Sequence, residues 1–171
     1  MPTTYSECSE AVLALAKQLI RQNYHDISKA EVTIKYLFAR NGDGPAITHN
    51  GWPAKALVKV NNLRDRVAGL ADVTIIIDEH GWEDWSPEHQ RAVLDHELYH
   101  IDVQRTKVGA IKYDDANRPK VKLKLHDFQF GGFHEITRRH KGASAEAQAV
   151  QDVAKVWAQG IFEFDLAEVS G

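Results

Sequence analysis

The sequence predicts a single α+β domain, a small mixed sheet packed on one well-capped helix, and three observations carry that prediction. Short β-branched runs, "EVTIKYLFA", "KALVKVNNL" and "ADVTIIIDE", lie between turn signals in the first half of the chain. A helical pattern precedes them and another follows. The 171 residues, 43% apolar and 26% charged, suffice for one hydrophobic core and not comfortably for two, so the expected domain is 1–171, with 160–171 a loosely attached tail.

Taken in order, "TTYSECSEAVLALAKQLIRQNY" places Thr4 three residues before Glu7, a capping-box spacing. Val12, Leu15, Ala16, Leu19 and Ile20 follow at helical intervals, which predicts an N-terminal amphipathic helix. Val32, Ile34 and Tyr36 then alternate with polar neighbours as in a half-buried strand, and "KALVKVNNL" and "ADVTIIIDE" read as two more. Between the first and second strands, "RNGDGPAITHNGWP" concentrates the punctuation of a long surface loop. No internal repeat or low-complexity block appears.

The most informative stretch is "WSPEHQRAVLDHELYHIDVQRT". Ser86 is a good N-cap, Pro87 fits the first helical position and Glu88 suits the first turn, so the HExxH pattern in it lies on a helix. Residues four apart on a helix differ by about 40° of rotation and about 6 Å of rise, so His96 and His100 project from one face and can converge on a single ion. Glu97 lies next to His96, placed to reach a water in the ion's open position without becoming a ligand. Leu94, Leu98 and Ile101 form an apolar stripe that would anchor the helix on the sheet.

A catalytic zinc takes three protein ligands and one exchangeable water. The lone cysteine, Cys8, excludes an internal disulfide and a CxxC site, so histidines and carboxylates must supply the donors. The main candidates for the third ligand are His126 and His134, in "RPKVKLKLHDFQFGGFHEITRRHKG"; Glu135 and Glu146 are further ones. In that segment Lys120, Lys122 and Lys124 alternate with Val121, Leu123 and Leu125, a half-buried strand delivering His126 at its end, and a helix is expected after Gly131–Gly132. His25, His49, His80, His89 and His140 fall in expected turns or on polar helix faces and read as solvated. Asp127 could orient an imidazole or cap the next helix, and Tyr99 reads as packing. Trp82 and Trp85, just ahead of the capped helix, read as core or staple residues. "SAEAQAVQDVAKVWAQG" reads as an alanine-rich helix ended by Gly160.

"DHELYHID" followed by "RPKVKLKLHDFQFGGFHEITRRHKG" resembles the phage metallopeptidases, a family of the zincin superfamily similar in style to SprT-like proteases, over residues 5–142 or so. His126, Asp127 and Phe130 match that family's downstream histidine, aspartate and aromatic, and the resemblance implies His126 as the third ligand. SprT-like enzymes use a shorter gap than the 25 residues separating His100 from His126. The resemblance also implies a zincin-like fold and hydrolysis of protein or peptide substrates in a phage or prophage setting. Zn2+ is the usual ion for such donors, Glu97 would be the general base, and by zincin analogy a strand along the cleft, "ADVTIIIDE", would hold an extended substrate.

A net charge of -3 excludes a strongly basic nucleic-acid coat. The lysines of "RPKVKLKL" and the "RRHK" at 138–141 leave room for a weak DNA contact, with a solvated strand face the simpler reading. The N-terminus lacks a signal-peptide pattern and no apolar run approaches the roughly 18 residues of a membrane span, so the expected location is the cytoplasm, of the host cell if phage encoded. The competing readings are a non-enzymatic phage accessory protein whose metal is a structural clip for binding a host factor, and a cell-wall amidase.

Overall fold

The computed structural model describes residues 2–126 and 133–168. In chain order these form β1 (Thr4–Glu7), α1 (Glu10–Asn23), α2 (His25–Lys29), β2 (Ile34–Arg40), β3 (Thr48–His49) and β4 (Trp52–Pro53). Then come β5 (Ala56–Val60), α3 (Leu63–Val67), β6 (Val73–Asp78), α4 (Glu79–Asp84), α5 (Pro87–Tyr99), β7 (Ile101–Val103) and β8 (Val121–Leu123). After them stand α6 (His134–His140), a 3₁₀ turn (Lys141–Ala143) and α7 (Ala145–Glu168). The protein is thus mixed α+β, and its chain divides into two units, 1–125 and 126–171.

In the first unit the main sheet has the order β1-β2-β6-β5. β2 and β6 run parallel, while β1 on β2 and β5 on β6 are antiparallel. Alternation decides which face is covered: Val73, Ile75 and Ile77 are fully buried, with Thr74, Ile76 and Asp78 half-buried between them. The register lays Tyr36, Ile75 and Val58 in one row across the sheet and Phe38, Ile77 and Ala56 in the next. Against these rows pack Val12, Ala16 and Leu19 from α1 and Val93, Leu94 and Leu98 from α5, forming one core. Each fully buried leucine here contributes about 1.5–3 kcal/mol relative to exposure, so α5 is held as part of the core.

One expectation is corrected at the N-terminus. Thr4 and Glu7 do not form a capping box: residues 4–7 are an exposed strand, and the helix opens later, with Ser9 at its N-cap. The Val12, Ala16 and Leu19 spacing is nevertheless the buried stripe of α1. The loop of residues 41–54 carries only the two-residue β3–β4 hairpin.

β6, the "ADVTIIIDE" strand, is hydrogen-bonded on both sides and cannot take a further strand; the end strands are β1 and β5. The strand predicted over 120–125 is shorter, and less buried, than expected: β8 spans three residues and Leu125 is 91% exposed. β8 pairs with β7, directly after α5, with Ile101 opposite Leu123.

The residues between β7 and β8 fold into bridged turns, Arg105 opposite Ile111 and Tyr113 opposite Pro119. They are tied to the sheet by a buried ion network. Asp72, fully buried, accepts from Thr33 N (2.8 Å), Thr33 Oγ1 (2.9 Å) and Arg118 Nη2 (2.7 Å). Arg66 Nη1 lies 3.5 Å from Asp72, and Arg66 Nη2 pairs with Asp114 at 2.6 Å.

In the second unit, Ser144 Oγ accepts from Ala147 N at the start of α7. That helix runs through Gly160 to Glu168 rather than ending at the glycine. Among the described residues no helix is long and apolar enough to cross a membrane.

Candidate metal centre

The site is built on the C-terminal half of α5, whose start is as the sequence implies. Ser86 Oγ accepts from His89 N, and Pro87 occupies the first turn. The helix ends at Tyr99, with His100 as its C-cap, just before β7. Four residues of helical rise bring the His96 and His100 rings together, centroids 4.9 Å apart and nearly perpendicular, with their Nε2 atoms 3.3 Å apart. Two nitrogens bound at about 2.0–2.1 Å to one tetrahedral ion stand about 3.3 Å apart, so the pair is spaced as a chelate requires.

The β7–β8 ladder supplies the next contacts. Lys124 N donates to His100 O, and His100 Nδ1 stands 2.7 Å from Lys124 O. A ring whose Nδ1–H donates to a carbonyl carries its lone pair on Nε2, the atom turned toward His96. Two residues beyond Lys124, His126 offers a ring nitrogen within 4.8 Å of nitrogens of His96 and His100. Three imidazoles are the donor chemistry of a zinc site, and no fourth His, Cys, Asp or Glu joins the group among the described residues.

Glu97 lies between the two histidines in sequence and points into the protein, only 6% exposed. Burial pushes its carboxyl up to about 7, partly offset by the Val58 N–H that donates to it from β5. On the neighbouring turn Tyr24 Oη donates to Asp95 Oδ1 at 2.6 Å and Asp95 O at 2.9 Å, fastening the end of α1 to α5. Burial, and then Asp95, hold the Tyr24 phenol well above its ordinary range.

Several expectations change here. Tyr99 is not a packing residue: it is 56% exposed, with Lys124 Nζ 4.4 Å from its ring centroid. His25, His49, His80 and His140 are exposed as expected, whereas His89 is half-buried and stacked on Trp85. Trp82 is in the core. Glu135 pairs with Arg138 and Arg139. Lys122 pairs with Asp102 at 3.3 Å. Asp127 and Phe130 lie outside the described residues, as do the side chains of His134 and Glu146.

Residues 4–157 match the model of a family described as "Putative phage metallopeptidase". The chain belongs to this family. Membership implies a metal and supports peptidase activity on protein or peptide substrates. Neither the curated proteins nor the solved structures contain a match to the chain.

Proposed function

We propose that this protein is a zinc-dependent peptidase on a single zincin-like domain, with His96, His100 and His126 holding the ion and Glu97 as general base. The reading places it in a phage or prophage and in the host cytoplasm. The observation that carries it is the 3.3 Å spacing of the two Nε2 atoms on a helix whose intervening glutamate is buried. A bound divalent ion would polarise the scissile carbonyl and acidify a water at the ligand position left by three protein donors.

The chain's own residues do the rest. Glu97 takes a proton from the attacking water and returns it to the leaving amide nitrogen. The Val58 N–H keeps the Glu97 carboxylate from swinging, and the Lys124 carbonyl fixes the His100 ring. β5, at the end of the sheet beside α5, is the strand along which an extended substrate would lie. Among the described residues the group has three donors, the number a hydrolytic zinc takes, rather than the four of a structural clip.

Metal content measured by mass spectrometry on the wild type, His126→Ala and His134→Ala tests the ligand set. Loss of stoichiometric zinc in His126→Ala with retention in His134→Ala is expected. The reverse pattern would overturn the choice of His126, and protein that stays metal-free in excess zinc would overturn the reading altogether.

A further inference from the structure

At the N-terminal end of α5 lies a cluster that the proposed chemistry does not use. The Trp85 and His89 rings are stacked, centroids 5.0 Å apart and 15° from parallel. Lys55, the residue before β5, sets Nζ 2.7 Å from His89 Nε2 and 5.7 Å from the Trp85 ring centroid. Trp85 is seated over Gly81, where a Cβ would stand 2.5 Å from the indole Cζ2, so the ring's place depends on that glycine. Among the described residues no carboxylate pairs with Lys55, nor with Lys59 further along β5. Glu88, adjacent to His89 in sequence, instead bonds Ser86.

Two contacts fix where this cluster stands. Lys55 touches His89, and Val58 N donates to Glu97. Three residues of strand span about 10 Å and eight residues of helix about 12 Å, so β5 and α5 run side by side in the same direction. His89 also precedes His96 by seven residues, which returns it to the same helix face within about 20°. The cluster therefore sits on the metal-site face, about 10 Å from Glu97, which is three residues of an extended peptide.

We infer that Lys55, Trp85 and His89 form a recognition subsite for an acidic side chain of an extended peptide, three residues from the bond that is cut. The inference rests on the peptidase reading above. The Lys55 ammonium, held by His89 and the indole, supplies a directed positive charge, and the aromatic pair supplies a flat floor for the substrate's carbon stem. An exposed ion pair is worth at most about fivefold in affinity.

The test uses the zinc-loaded full chain on a mixture of peptides, with cut sites read by mass spectrometry. Asp and Glu should be enriched about fivefold three residues from the cut, on one side, and Lys55→Glu should pass that enrichment to Lys and Arg. A second arm measures, by calorimetry, binding to zinc-loaded Glu97→Gln of two decapeptides differing only in Asp or Lys at that position. The acidic peptide should bind about fivefold tighter, with the order inverted when Lys55→Glu is added. An unchanged cut-site profile in Lys55→Glu, or equal binding of the two decapeptides, would overturn the subsite. Absence of cleavage with the binding ratio intact would instead overturn the peptidase reading and leave an acidic binding site established. Lys55 is exposed, so an unaltered melting temperature checks that Lys55→Glu folds.

Discussion

Asp72 and Glu97 are both buried carboxylates in the first unit, and the chain satisfies them in opposite ways. Asp72 is surrounded by Thr33, Arg118 and Arg66. Glu97 meets, among the described residues, a single donor, the Val58 N–H, and its carboxyl rises toward neutrality through burial. A buried charge that is fully paired fixes structure, because removing it strands its partners. A buried acid left with spare lone pairs costs stability and persists where chemistry uses it. The difference separates a structural acid from a reactive one without reference to either residue's position in sequence.

The sharpest way to break that comparison is Glu97→Gln. Turnover on any peptide substrate should fall about 10²–10⁴-fold while zinc is retained and the urea unfolding midpoint does not drop. Asp72→Ala should do the converse. It should cost about 3–5 kcal/mol in urea unfolding, because Arg118 and Arg66 lose their buried partner, with turnover of the folded protein unchanged. If Asp72→Ala unfolded no more easily than Glu97→Gln, the contrast would be gone.

A smaller effect is expected where a neutral group is paired. Tyr24→Phe removes the bond to Asp95 and should cost about 1 kcal/mol by the same measurement. The smallest concerns Cys8, whose thiol burial pushes up to about 12, with the Glu79 charge adding to it. A thiol raised in the fold contributes stability that is present below its ordinary value and lost as pH climbs toward 12. Iodoacetamide at pH 8 should therefore leave Cys8 unlabelled in the native protein and label it in urea, as mass spectrometry would show; native labelling would contradict its burial.

How much of this was legible in the sequence depended on the length and burial of each element. The α5 boundaries were written in Ser86, Pro87 and Glu88, and the four-residue spacing of His96 and His100 needed only helix geometry to bring the rings together. β2, β5 and β6 showed because one face of each is buried in alternation. β1 was invisible for the opposite reason: all four residues are exposed, and Thr4 and Glu7 imitated a cap. α2, α3 and α4, at five, five and six residues, are too short for a helical period to register. Strand order is not readable either, because hydrophobic runs reveal burial and not neighbours, so "ADVTIIIDE", read as the strand that holds the substrate, is an interior strand and β5 lies beyond it. The Trp85–His89–Lys55 contact was hidden for the same reason, since it joins residues 34 apart in sequence.

The place of β5 at the end of the sheet has one more consequence. A bare strand edge invites a second copy to join it and grow into an aggregate. Here Lys55 and Lys59 bracket the strand with like charge that two copies would bring face to face. Neutralising both lysines should turn a well-behaved solution into one that scatters light.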